Sequence, residues 1–375
     1  MNSVPIEPKI TEYLYKKAAL AGVPLSGTFE LTPLCNMDCK MCYVKLTACQ
    51  QSKIRPLATA SAWLSLAKKL KKEGMLYLLL TGGEPFLHPE FREIMQGLHE
   101  MGLLITINSN GTLIDEEAVE WLKKYPPVRI NITLYGKNNE TYNRLCGNNK
   151  GFSQTEKAIK LLKQAGIPVK LNCSVTPHNA CDLEAISDFA KQNELALQVA
   201  TYMFPPARRD STMTGKNDRF PPEKAAFYTA YSEYLTLGKE RFLKMGDNLI
   251  MPDGSDDDCA SIGEGVGCRA GKCSFWVTWE GYLTPCGMFP CDKENNVFEK
   301  EFNICWQSVR EKTAQIRLPK ECANCSLKQN CRACAAMVIT ESGCFEDVPI
   351  YRCKMSKAYP NEYKKLANKL TEGSL

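Results

Sequence analysis

Histidine is nearly missing from this 375-residue chain, which holds only His88, His99 and His178. So few imidazoles leave little from which to build histidine-rich zinc centres or Ser-His and Cys-His triads, and acid–base work must fall to other side chains. No run is long and apolar enough to span a bilayer. The N-terminal Met1-Asn2-Ser3-Val4-Pro5 lacks the apolar stretch of a signal peptide, so the expected location is cytoplasmic, with no membrane partner. Low-complexity tracts and short repeats are missing too. Charge is modest: the net value is +5, and the basic run Lys68-Lys69-Leu70-Lys71-Lys72 continues an amphipathic helix. That run reads as a solvated face, and no nucleic-acid partner is expected.

Cysteine is what the chain has in excess, 19 in all. A cytoplasmic compartment keeps thiols reduced, so C-x2-C spacings point to metal–sulfur chemistry before disulfides. The first group is Cys35, Cys39 and Cys42, spaced C-x3-C-x2-C. An iron–sulfur cube takes four thiolates, and three leave one iron open to an exchangeable ligand. On spacing alone a zinc knuckle fits as well.

Hydrophobic content of 44% and charged content of 24% suit a soluble globular protein of one large or two ordinary domains. Strand patterns at Thr28–Leu31, Met75–Leu80, Leu103–Asn108, Val128–Leu134, Pro168–Val175 and Leu195–Tyr202 alternate with helical ones. Such alternation predicts an α/β fold of parallel strands with right-handed crossovers, a partial (β/α)6 barrel. The barrel is expected over residues 25–205, after a lead-in of residues 1–24. Functional loops of barrels sit at strand C-termini. The cysteine loop, Gly82-Gly83-Glu84-Pro85, Asn108–Gly111 and Thr133–Gly136 all fall there. Residues 206–258, rich in Pro, Arg, Asp and Gly, read as a linker with one helix near Pro222–Lys239. A small cysteine-rich domain at 259–355 and a terminal helix at 356–375 complete the chain. Within that domain Cys322-x2-Cys325-x5-Cys331-x2-Cys334 is dense enough for a second metal region, where zinc and iron–sulfur both fit.

On these residues the chain resembles radical S-adenosylmethionine (radical SAM) enzymes with a C-terminal SPASM domain, of the peptide- or protein-maturase kind. The resemblance implies a 4Fe-4S cluster on Cys35, Cys39 and Cys42 whose open iron chelates S-adenosylmethionine. It implies that Gly82, Gly83 and Glu84 contact the methionine amino group: two glycines let backbone carbonyls approach an ammonium, and Glu84 offers a charged acceptor. Thr133 stands where relatives often have a serine on the cofactor, and Arg144 looks like the family arginine that reaches its carboxylate. Asn110 and Ser174 are further cofactor positions. A polar strand end is the ordinary alternative for Thr133, Asn110 and Ser174, as a surface salt bridge is for Arg144.

The same resemblance implies two auxiliary 4Fe-4S clusters, one on Cys259, Cys268, Cys286 and Cys334, the other on Cys322, Cys325, Cys331 and Cys353. Cys273 and Cys344 are substitutes. Cys49, Cys146, Cys173, Cys181, Cys291 and Cys305 read as buried or incidental thiols. Three departures stand out. Met41 replaces the aromatic residue usual before the third cysteine. Cys331 and Cys334 are separated by two residues where three are usual. Gly287 stands where sulfatase-maturing relatives carry a proton-accepting aspartate, which argues against sulfatase maturation.

The implied activity is reductive cleavage of S-adenosylmethionine and radical modification of a peptide or small-protein substrate: a thioether or other crosslink, or a related change. A flavodoxin- or ferredoxin-type protein would donate electrons. Residues 1–24 are too short for a fused peptide-recognition domain, so a separate leader-binding protein is a candidate partner. One alternative is a small metabolite substrate, such as a porphyrin side chain. Another class is a non-catalytic iron–sulfur electron carrier or zinc-stabilised interaction module. No catalytic base is assigned; Tyr202, Arg208 and Arg209, at or past the last strand, are placed where they could face substrate, but solvent-facing linker residues are the preferred reading.

Overall fold

Strands β1 (Ser26–Glu30), β2 (Tyr77–Thr81), β3 (Leu104–Ser109), β4 (Arg129–Thr133), β5 (Val169–Ser174) and β6 (Leu197–Ala200) alternate with helices in the computed structural model. It describes residues 10–246, 265–327, 331 and 333–373. Ile105 and Ile107 of β3 and Ile130 and Ile132 of β4 are buried to 1% exposure or less, as β-branched side chains suit a covered, pleated face. Successive strands pair in parallel from β1 through β6. Parallel neighbours need long crossovers, supplied by helices such as Ala60–Lys72, Phe91–Glu100, Glu116–Lys124, Gly151–Gln164 and Leu183–Gln192. Local chemistry starts two of them. Thr59 accepts from Ala62 N and Asp115 from Ala118 N, each satisfying a helix N–H that has no partner of its own.

The sheet runs beyond the expected six strands. β7 (Ser274–Val277) pairs with β1 in parallel and β8 (Leu283–Thr284) follows antiparallel, giving the order β6-β5-β4-β3-β2-β1-β7-β8. The partial barrel stays open, and the cysteine-rich region is joined to it through one continuous sheet. Trp63 packs between Phe29 and Phe298, with ring centroids 4.8 and 5.0 Å away. Fully burying side chains of the Phe or Leu class contributes about 1.5–3 kcal/mol each.

Two expected boundaries meet a different arrangement. Residues 206–246 include helix Pro222–Leu237, which packs along helix Ile350–Glu372. Tyr359 donates to Glu233, and the Phe242 and Tyr363 rings lie 4.5 Å apart. The terminal helix starts at Ile350, so the boundary at 355 falls inside it. Its buried Met355, Tyr359, Tyr363, Leu366 and Leu370 recur at helical spacing and need that partner. Residues 247–264, with the rest of the expected linker and Cys259, lie outside the described residues. Among the described residues no helix is long and apolar enough to cross a membrane.

Candidate metal and cofactor site

β1 ends at Glu30, and the loop after it carries Cys35, Cys39 and Cys42. Backbone hydrogen bonds fix this loop on two sides. Toward β2, Gly83 N donates to Thr32 O at 2.7 Å and Glu84 N to Leu34 O at 2.8 Å. A Cβ on Gly82 would come within 2.5 Å of Thr32 O, and one on Gly83 within 2.3 Å of Leu34 O. Close approach of two backbones therefore requires both glycines. On the other side, Asp38 N donates to Cys146 O at 2.7 Å and Lys40 N to Leu145 O at 3.1 Å. These are carbonyls that the end of helix Asn139–Cys146 leaves without intrahelical partners. Met41 is buried in the core, against which Cys35 and Cys39 also pack.

The three thiols lie within electrostatic reach of one another. Burial pushes Cys35 up to about 12 and raises Cys42 as well. Cys39 is held down, first by a hydrogen bond from Cys146 and also by one from Tyr135. Buried thiols that resist ionisation alone suit a metal centre, because binding iron replaces the proton. The donor set of three cysteines fits a 4Fe-4S cluster with one open iron. Cys146, expected to be a buried or incidental thiol, is buried and touches Cys39, a contact that sequence distance hides. Among the described residues, no group of three His, Cys, Asp or Glu side chains is placed to hold a single metal ion, whereas a cubane takes each thiolate on a different iron.

Glu84 is fully buried. It accepts from Ser109 Oγ at 2.9 Å and Phe86 N at 3.3 Å through Oε1, and from Asn110 N at 2.8 Å through Oε2. Burial raises its carboxyl to about 7, against the lowering effect of those three bonds. The carboxylate thus braces the ends of β2 and β3, in place of the free charged acceptor expected for it. Asn110 Nδ2 donates to Asn36 Oδ1 at 2.9 Å and lies 3.7 Å from Cys35 Sγ. Half-buried Thr133 and Ser174 end β4 and β5. Their carbonyls accept from Tyr142 Oη at 3.5 Å and Asn179 Nδ2 at 2.9 Å. Arg144 is exposed, 3.8 Å from Glu140, and donates through Nε to His178 O at 2.9 Å.

In the C-terminal region Cys268, Cys286 and Cys334 share one neighbourhood. Cys322, Cys325, Cys331 and Cys353 share another, where Ser356 Oγ donates to Cys331 Sγ at 3.1 Å. Cys273 packs with Ala18 and Leu25, and Cys344 hydrogen-bonds Asp347. A Cβ at Gly287 would meet the Trp276 ring at 2.8 Å, so an aspartate there has no room while the indole stays.

Two residues expected to face solvent are buried. Tyr202 donates to Glu341, which also binds Arg219 at 2.6 and 2.9 Å. Arg208 pairs with Glu30 at 2.7 Å. The exit of β6 runs under the C-terminal region, which covers both; Arg209 remains exposed.

Residues 29–190 match the family model described as the radical SAM superfamily. This stretch is a radical SAM domain. The cofactors of that family are a 4Fe-4S cluster and S-adenosylmethionine. The enzyme is similar to AlbA, the antilisterial bacteriocin subtilosin biosynthesis protein of Bacillus subtilis (strain 168): 28% identity over 82% of this chain and 65% of AlbA. It resembles the AdoMet-dependent heme synthase of Methanosarcina barkeri (strain Fusaro / DSM 804) at 24% identity, over 89% of this chain and 98% of that protein. It is 27% identical to the sporulation killing factor maturation protein SkfB of B. subtilis (strain 168), over 70% of this chain and 60% of SkfB. The chain thus spans less than two thirds of AlbA and SkfB. In fold it is similar to anSMEcpe with bound AdoMet, with TM-score 0.69 and 19% identity over 92% of this chain and 100% of that one. Streptococcus suis SuiB bound to precursor peptide SuiA gives TM-score 0.64 and 18% identity, over 93% and 83%.

Proposed function

We propose that this radical SAM enzyme modifies a peptide. The observation that carries the reading is the placement of its cysteine groups. Tyr43, next to Cys42, lies 5.9 Å from the Arg208 guanidinium, which in turn acts on Cys286. The barrel site and a second cysteine group therefore lie on either side of Arg208. A 4Fe-4S cluster held by Cys35, Cys39 and Cys42 would supply the one-electron reduction that cleaves S-adenosylmethionine to methionine and opens hydrogen abstraction from substrate.

The chain's own residues hold and shield that chemistry. Cys35, Cys39 and Cys42 ligate the cluster, with Asn110 orienting Cys35. The backbone of Gly82, Gly83 and Glu84, together with Thr133, Ser174 and Arg144, positions the cofactor. Cys268, Cys286 and Cys334, with Cys259 as fourth ligand, hold one auxiliary cluster; Cys322, Cys325, Cys331 and Cys353 hold the other. Clusters held there would supply an electron acceptor or a ligation point for a substrate thiol. A flavodoxin- or ferredoxin-type donor supplies the first electron, and a separate leader-binding protein presents the peptide. The names of AlbA and SkfB, as biosynthesis and maturation proteins of a bacteriocin and a killing factor, support this reading.

Reconstituted, reduced enzyme given S-adenosylmethionine and any short cysteine-rich peptide encoded beside its gene should change that peptide's mass. An unaltered mass with continued cofactor turnover would reject the substrate class. A second reading, a porphyrin side chain as substrate, is favoured by the match along 98% of the heme synthase. Conversion of an iron-porphyrin carrying propionates, followed by absorbance, would establish it instead.

A further inference from the structure

Glu30 ends the strand that leads into the cysteine loop, and its register partner Thr81 leads into Gly82-Gly83. Its side chain is 1% exposed and that of Arg208 8%, with Arg208 Nη2 2.7 Å from Glu30 Oε2. Trp276 Nε1 donates to the same Oε2 at 3.0 Å. One carboxylate oxygen is thus used twice. Among the described residues, the other, Glu30 Oε1, has no hydrogen-bond partner, and neither has Arg208 Nη1. Buried polar groups are normally paired, so an orphan acceptor and an orphan donor on the two halves of one ion pair call for a ligand.

The surroundings say where that ligand sits. The guanidinium is 5.9 Å from the ring of Tyr43, the residue after Cys42. The charge of Arg208 also reaches Cys286 and Cys291, and Glu280. The pair therefore stands between the first cysteine group and the group of Cys286. The indole that occupies the space beside Gly287 is the same one that holds Glu30.

Charge and hydrogen-bond count then select the ligand's chemistry. The pair sums to zero, so an anion would meet Glu30 and an ammonium would meet Arg208. A neutral group with one N–H and one C=O meets neither penalty. A secondary amide has both: its oxygen accepts from Arg208 Nη1, and its N–H donates to Glu30 Oε1. Both orphan atoms are closed to solvent, so one side must move to admit a ligand. Glu30 is fixed by its pairing in the sheet, whereas Arg208 lies on the irregular segment after β6.

We propose that the buried Glu30–Arg208 pair is a docking site for a backbone amide of the substrate, setting the peptide between the cofactor site and the Cys286 group. The inference rests on the peptide reading and deepens it. Crystals of the reconstituted holoenzyme with S-adenosylmethionine, grown anaerobically, are soaked separately in N-methylacetamide and in acetate. N-methylacetamide is expected on both orphan atoms and acetate on neither. Saturation-transfer NMR of the holoenzyme should show the same preference. Glu30→Gln leaves the guanidinium charge uncompensated and should reverse the preference toward acetate by at least about tenfold.

Water alone at the two atoms, empty atoms, or acetate held by the wild-type pair would overturn the inference, and the wild-type soak decides even where the variant does not fold. Amide bound at the pair while the encoded peptide stays unmodified would count against the peptide reading alone. Peptide turnover with the pair unoccupied would count against the docking site alone.

Discussion

Asn110 donates its backbone N–H to Glu84 Oε2 at 2.8 Å, while its side-chain nitrogen lies 3.7 Å from Cys35 Sγ. One residue thus couples a buried carboxyl at the end of β2 to a cysteine beyond the end of β1. The carboxyl titrates at about 7 in the fold, above its ordinary 4.5, because burial outweighs its hydrogen bonds. A raised carboxyl favours the folded state fully below pH 4.5, and that contribution is lost as pH rises through 7. The shift corresponds to about 3 kcal/mol. In metal-free protein, urea unfolding should therefore show wild type losing about 3 kcal/mol relative to Glu84→Gln between acidic and neutral pH. Parallel pH profiles for the two proteins would contradict this.

Gly83 leaves no space for a side chain, with Leu34 O at 2.3 Å from an ideal Cβ. Gly83→Ala should cost about 1–3 kcal/mol and loosen the cysteine loop. Iron retained after desalting should fall along with the denaturation midpoint. A variant that keeps both would show that the two backbones can separate without loss.

Arg219 and Glu341 form a bidentate pair with side chains 6% and 4% exposed, tying the segment after β6 to helix Ala335–Ser342. Removing one partner strands a buried charge, so Arg219→Met should cost about 3–5 kcal/mol. Replacing both, Arg219→Met with Glu341→Leu, should recover most of that. Equal losses in the single and double variants would mean that packing, not the stranded charge, sets the cost.

Three cubanes would bring reconstituted enzyme to ~12 irons per chain, at ~4 per cluster. Changing Cys322, Cys325, Cys331 and Cys353 together to Ala should remove ~4 of them and leave the cofactor-cleaving site loaded. Zinc in that region of the wild-type protein, or an unchanged iron count in the variant, would rule out the second auxiliary cluster.

Much of this architecture was legible because its signals are local. Runs such as Tyr77–Thr81 and the helical stripe of Ala60, Trp63, Ala67 and Leu70 declare their elements within a few residues. The glycines at 82 and 83 mark a tight place, although what they admit is the backbone of Thr32 and Leu34. Helix Ala48–Ile54 was not foreseen, because it has no apolar stripe and depends on the capping box of Thr47 and Gln50. Contacts between distant segments were also hidden. The touch of Cys146 on Cys39, the burial of Arg208 against Glu30 and the pairing of β7 with β1 depend on where the chain returns, which composition does not record.

The central claim is that Cys35, Cys39 and Cys42 hold the cluster that cleaves S-adenosylmethionine. Its most direct test is 5′-deoxyadenosine formation by anaerobically reconstituted, reduced enzyme, measured beside the variant with all three cysteines changed to Ala. Wild type should form the nucleoside and the variant none above background. Equal product from both proteins would contradict the assignment.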